Sequence, residues 1–341
     1  MYLKTNRVQL IFVILPLLLL IACNPQPDKV FTPVNPVDSM ANNAAIKEAS
    51  AAIEKDPSNP EMYYRRAISY YNLKYLGRAL ADIDDAMRLD AQNPLYPFQK
   101  GKICYAMNKT IDAEKAYTTA IALKPDFTEA QMKLAELYYI VKKHRESLNL
   151  LNSITAKNPD KQDAYFFKGM NYKETGDTGK AISNFQKALE YDKAYYDAAV
   201  QLGILYTAKG DKTAYDYLTS AIKMQRSNPE AYFMRGYYFQ TQKDFQKALF
   251  DYRKVVDLDP SNALAYYNVG CINFDVKQYK EALRAFNISI QMQPSNAQAY
   301  YMRGLVQEIE GNKEDARLNY QYALQLEPEF QLAKERLQHL R

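Results

Sequence analysis

Small, aromatic and apolar residues return at a fixed interval along most of this chain. The phrases Ala231 to Gly236 (AYFMRG) and Ala299 to Gly304 (AYYMRG) are nearly identical, and looser copies begin at Met62, Ala164 and Ala265. Starts at 62, 164, 231, 265 and 299 are separated by multiples of 34, less one residue in one interval. A second phrase travels with the first, as Lys180 to Phe185, Lys247 to Tyr252 and Glu281 to Phe286. Aligning the copies gives three restricted columns. Position eight reads Ala67, Gly101, Ala135, Gly169, Gly203, Gly236, Gly270 and Gly304. A second small column reads Ala79, Ala113, Ser147, Ala181, Ala214, Ala248, Ala282 and Ala316. A large column reads Ile83, Tyr117, Leu151, Phe185, Leu218, Tyr252, Phe286 and Tyr320.

Within each copy the apolar spacing is helical. Positions four, seven, eight and eleven share one face, because residues three and four apart are neighbours on a helix. The Ala or Gly of that face lets a second helix approach closely. Positions five, nine and twelve form a second stripe about 100° round. In the phrases quoted above, Tyr232 and Tyr300 are expected to point into the helix pair, and Phe233 and Tyr301 towards the second stripe.

These columns resemble the tetratricopeptide repeat, a helix–turn–helix unit of about 34 residues. The resemblance implies an all-α solenoid, a right-handed superhelix of eight units at 60–93, 94–127, 128–161, 162–195, 196–228, 229–262, 263–296 and 297–330. Residues 42–59 match a second helix without its first, and 331–341 a polar-faced capping helix. The pattern departs at Pro97 and Gln131, which replace the first aromatic, at Lys193 and Arg226, which replace the closing Pro, and in the fifth unit, one residue short.

The resemblance also implies that the second stripe lines a concave groove. Its candidate binding residues are Tyr64, Phe98, Phe166, Phe233, Tyr267 and Tyr301 at position five, with Tyr71, Tyr105, Tyr237 and Phe274 at nine or twelve. Exposed aromatic surface marks interaction sites. The family's clamp for acidic C-termini needs Lys at position five and Asn at nine. Tyr64 and Ile68, then Phe98 and Lys102, stand there instead, so that clamp is absent.

The amino terminus has a different pattern. Lys4 and Arg7 precede an apolar run, Leu10 to Ala22, broken only by Pro16 and too short for the roughly 20 residues of a membrane span. A basic start followed by such a run is a secretory signal pattern. It ends Leu20-Ile21-Ala22-Cys23, which resembles the bacterial lipobox and implies cleavage before Cys23 and lipidation of its thiol. Residues 23–41, with Pro25, Pro27, Pro33 and Pro36, read as an extended tether. Asn24 in place of Asp implies, by the enteric rule, the outer membrane, facing the periplasm or the cell surface.

Composition adds exclusions. The chain has 341 residues, 30 Tyr, no Trp and a formal charge of +5, or about +3 without Lys4 and Arg7. That balance points away from nucleic acid. His144 and His339 are too far apart for a metal cluster or relay and read as solvated, and no catalytic motif occurs. Cys104 reads as a buried hydrophobe, and Cys271, although on the stripe, more simply as an inert side chain than as a reactive thiol. The expectation is a non-enzymatic envelope scaffold without cofactor, taking a protein or peptide partner. The alternatives are an aromatic groove stacking on glycans and an oligomer built through the array ends.

Overall fold

The computed structural model describes residues 43–340, so Cys23, the signal segment and the tether lie outside the described residues. Every regular element among the described residues is a helix. They divide into two compact units, the first ending at Lys109 and the second beginning at Thr110, a boundary inside the 94–127 copy.

The first unit holds α1 (Ala44–Lys55), α2 (Pro60–Asn72), α3 (Leu76–Leu89) and α4 (Leu95–Ala106), each packed on the next. The second opens with α5 (Thr110–Leu123) and continues as antiparallel pairs: α6 (Thr128–Ile140) with α7 (His144–Lys157), α8 (Gln162–Glu174) with α9 (Thr178–Tyr191), and α10 (Tyr196–Ala208) with α11 (Thr213–Met224). Then follow α12 (Pro229–Thr241) with α13 (Phe245–Leu258), α14 (Ala263–Asp275) with α15 (Tyr279–Met292), α16 (Ala297–Ile309) with α17 (Lys313–Leu326), and α18 (Gln331–His339). First helices also touch across repeats, as α10 does α12 and α14 does α16.

Local chemistry sets the helix ends. Asn59, Asn228, Asn262 and Asn296 cap α2, α12, α14 and α16 by accepting backbone N–H bonds, and Pro60 and Pro229 occupy first-turn positions where no donor is lost. Each turn within a pair carries one residue in the left-handed region, such as Lys74, Lys277 or Gly311. The chain then closes back on the first helix, with Gln278 N–H donating to Asn273 C=O at 2.8 Å. The missing residue of the fifth copy shortens α11 to 12 residues, against 14 in α13.

The three columns form the core. Large-column residues such as Ile83, Leu151, Phe185, Tyr252, Phe286 and Tyr320 are wholly buried. Each lies against the small residue of its own first helix. A Cβ on Gly270 would meet the Phe286 ring at 2.5 Å, and one on Gly169 the Phe185 ring at 2.6 Å. Ala67 and Ala135, by contrast, share their clusters with the slimmer Ile83 and Leu151.

A repeated polar staple joins neighbouring second helices. Arg235 at position seven chelates Asp251 of its own pair at 2.8 Å through both Nε and Nη2, and reaches Thr219 of the preceding second helix through Nη1. Arg66 does the same with Asp82 and Ser50, while Arg303 bonds Asn319 through Nε alone and Asn287 through Nη1. Tyr63, Tyr232 and Tyr300 at position four lie beneath these guanidiniums at 5.8, 6.0 and 5.4 Å.

Candidate functional site

The stripe at positions five, nine and twelve is partly surface and partly core. Phe166 departs from the expected groove: it is 9% exposed, enclosed by Phe185 and Tyr195 with ring centroids 5.6 and 5.2 Å away. Met132 and Val200, at the same position of neighbouring repeats, are buried too. The expected division of labour within the aromatic pair also fails. Phe233 leans on Tyr252, Tyr267 on Phe286, and Tyr301 on Tyr320 and Phe330, so position five helps to build the core. The reason is geometric. The Gly or Ala at position eight leaves space that the large second-helix side chain and the position-five ring fill together.

In the second unit the remaining candidates reach the surface unequally. Phe233, Tyr267, Phe274 and Tyr301 are half-buried, and Tyr237 is 36% exposed. In the first unit Tyr64, Tyr71 and Phe98 are half-buried and Tyr105 is 43% exposed. There Lys102 holds its ammonium over the Tyr71 and Phe98 rings, at 5.3 and 5.9 Å.

Residues absent from the expectation also belong to this face. Position two lies three before five and seven before nine, hence on the same stripe. It carries Glu129, Asp163, Asp197 and Glu230 in four consecutive repeats, a regularity readable in the sequence once that position is included. Tyr195 Oη donates to Asp163 at 3.0 Å, Tyr196 Oη to Glu230 at 3.4 Å, and Lys173 Nζ to Gln201 at 2.7 Å. Burial holds the Glu230 carboxyl above its ordinary range, with a further push from the Asp197 charge; Tyr196 and Lys173 act the other way. Burial likewise raises Asp197, although its side chain still reaches solvent, and lowers Lys173.

A raised carboxyl in the folded state means that the native protein binds the proton more tightly than the unfolded chain. Stability therefore falls as pH rises from the ordinary carboxylate range through the raised folded value, then levels. Replacing Glu230 by Gln should remove that loss. Thermal melts at pH 7 should show a higher midpoint for the variant, and the difference should close on acidification.

The two remaining singular side chains are occupied. His144, expected as solvated, is half-buried, with Nδ1 3.0 Å from Asn171 Oδ1 and its ring edge-on to Tyr139. Burial pushes the Cys271 thiol up to about 12 although the residue is partly exposed, and the Tyr267 hydroxyl bond only partly opposes this, so the thiol stays protonated and unreactive. No group of His, Cys, Asp and Glu among the described residues is arranged to hold a metal ion.

Profiles described as tetratricopeptide repeat match residues 42–94, 162–195, 229–262 and 267–329, together more than half of the chain. The chain belongs to the tetratricopeptide repeat family. It is 35% identical over 98 residues to serine/threonine-protein phosphatase 5 of Rattus norvegicus, covering 29% of this chain and 20% of that protein, within a repeat region only. It is 22% identical over 209 residues to the TPR repeat-containing protein YpiA of Bacillus subtilis, covering 61% of this chain and 49% of YpiA. The chain thus spans between a fifth and a half of these relatives.

Two solved structures share the fold. The Cut9–Hcn1 hetero-tetramer of the APC/C superposes with a TM-score of 0.56 at 17% identity, over 86% of this chain and 58% of that one. A tetratricopeptide repeat protein from Parabacteroides merdae gives 0.58 at 16% identity, over 73% and 99%. The architecture is an all-α solenoid, a protein-interaction scaffold.

Proposed function

We propose that this protein is a lipid-anchored scaffold of the bacterial cell envelope that holds a partner's peptide segment on the aromatic first-helix face of its second unit. The observation that carries the reading is the exposure of Tyr237 beside Phe233, Tyr267 and Phe274, rings that are half-buried and keep part of their surface open to solvent. Tyr offers a flat apolar face with a polar tip, suited to extended backbone and side chains together.

Phe233, Tyr267 and Phe274 also pack on the core, so the clean probe is Tyr237. Tyr237→Ala should lower partner capture at least about fivefold, a loss of roughly 1 kcal/mol, with unchanged thermal unfolding. Phe250→Ala, an exposed ring on α13, should leave capture intact. Equal capture by all three proteins would remove the groove from the function.

The anchor rests on Cys23 at the end of the apolar run. No described helix is long and apolar enough to cross a membrane. Cys23→Ala should move the chain from the membrane fraction to the soluble one, and retention of the variant in the membrane would defeat the anchor.

A further inference from the structure

The first-helix face of the second unit has a charge opposite to that of the chain. Positions two, five, nine and twelve of α6, α8, α10, α12, α14 and α16 carry six carboxylates, Glu129, Glu136, Asp163, Asp197, Glu230 and Glu308, against Lys173 alone. The whole chain is formally +5. Glu136 and Glu308 are matched by Lys133 and Arg336, but Asp163, Asp197 and Glu230 form no salt bridge among the described residues.

The aromatic pattern is independent of these carboxylates and has the same sense. Elsewhere in the second unit the rings at positions four and eleven, Tyr266 excepted, are capped by the chain's own cations, as Tyr165 by Lys168 and Lys187, Tyr172 by Lys180, and Phe239 by Arg235 and Lys247. No described cation lies over Phe233, Tyr237, Tyr267 or Phe274 on the first-helix face. In the first unit the corresponding stripe does hold one, Lys102 over Tyr71 and Phe98. The chain itself therefore shows what such rings accept.

We propose that the face formed by α8, α10 and α12 docks an extended, lysine- or arginine-bearing segment of a partner protein, its cations meeting Asp163, Asp197 and Glu230 and its side-chain stems lying on Phe233 and Tyr237. The inference rests on the groove reading above and adds the class of partner. Repeat geometry sets the register. Packed helices stand about 8–10 Å apart, and an extended polyproline-type chain advances about 3.1 Å per residue with three residues per turn. A cation at every third residue then meets one carboxylate per repeat. Pairing also relieves the mutual repulsion of Asp197 and Glu230.

The test uses the full chain and fluorescence anisotropy with labelled peptides of roughly 12 residues, long enough to cross three repeats at that rise. They carry Lys, Ser or Glu at every third position of one Pro/Ser background. The Lys peptide should bind, more weakly as salt rises. Its affinity should fall at least about tenfold in the triple variant Asp163→Asn, Asp197→Asn, Glu230→Gln. A control that neutralises Glu281 and Glu314, exposed on second helices, should bind within about twofold of wild type. Thermal melts no lower than wild type would show that the triple variant is folded.

Undiminished binding by the triple variant, or an equal loss in the control, overturns the inference. Equal or tighter binding of the Ser or Glu peptide overturns it while leaving the groove reading intact. Failure of all three peptides to bind removes both.

Discussion

Asp251→Ala is expected to cost about 3 kcal/mol, the low end of what removing one partner of a buried ion pair costs. Asp251 is wholly buried, and its side chain receives both Nε and Nη2 of Arg235 at 2.8 Å. Truncation leaves the guanidinium with a single side-chain hydrogen-bond acceptor, Thr219, in a site where its own side chain is only 15% exposed. The low end applies because that residual exposure lets water reach part of the charge. In a repeat array each element depends on its neighbours, so the loss should open α12 and α13 locally before the whole chain unfolds. Hydrogen exchange resolved to these helices, with denaturant melts, measures it. Asp251→Asn is the informative companion, because Asn319 occupies the matching place beneath Arg303. It should recover more than half of the loss. If Asp251→Ala proves as stable as wild type, the staple is ornamental and the second helices are joined by apolar packing alone.

The helical frame was legible because each restricted column answers to a steric demand. A position that holds only Ala or Gly and a position that holds only large side chains, 16 residues apart as Gly270 and Phe286 are and 15 apart only in the shortened fifth copy (Gly203 and Leu218), read as a helix pair in close contact. The site was less legible for two reasons. Helical spacing gives the direction of Phe166 but not what the next repeat places over it, and Tyr195 from the following turn covers that ring. The staple was hidden because Arg66, Arg235 and Arg303 each need partners 16 residues away on both sides, which looks like ordinary surface charge until both second helices are in place. His144 was misjudged for the same reason, since its partner Asn171 lies in the next repeat.

The Gly and Ala choices at position eight yield the second large effect. Gly270→Ala should destabilise by about 2 kcal/mol, because the added Cβ meets three atoms of the wholly buried Phe286 ring at 2.5 to 2.9 Å and the ring is too rigid to yield. The gain in helix propensity, about 1 kcal/mol for replacing Gly by Ala, is included in that net figure. Gly236→Ala should be close to neutral, since its Cβ would stand 3.1 Å from Tyr252, where a few tenths of an ångström suffice. The decisive experiment is a double-mutant cycle with Phe286→Ile. That change alone leaves a void and should cost roughly 2 to 3 kcal/mol. Added to Gly270→Ala it recreates the Ala67 and Ile83 pairing that the first repeat already uses. The double variant should therefore be more stable than the sum of the single losses by at least about 1.5 kcal/mol, a coupling typical of residues in direct contact. Strict additivity in denaturant melts would mean that the small and large columns are chosen independently, and the close approach seen between them would no longer explain why the chain repeats them together.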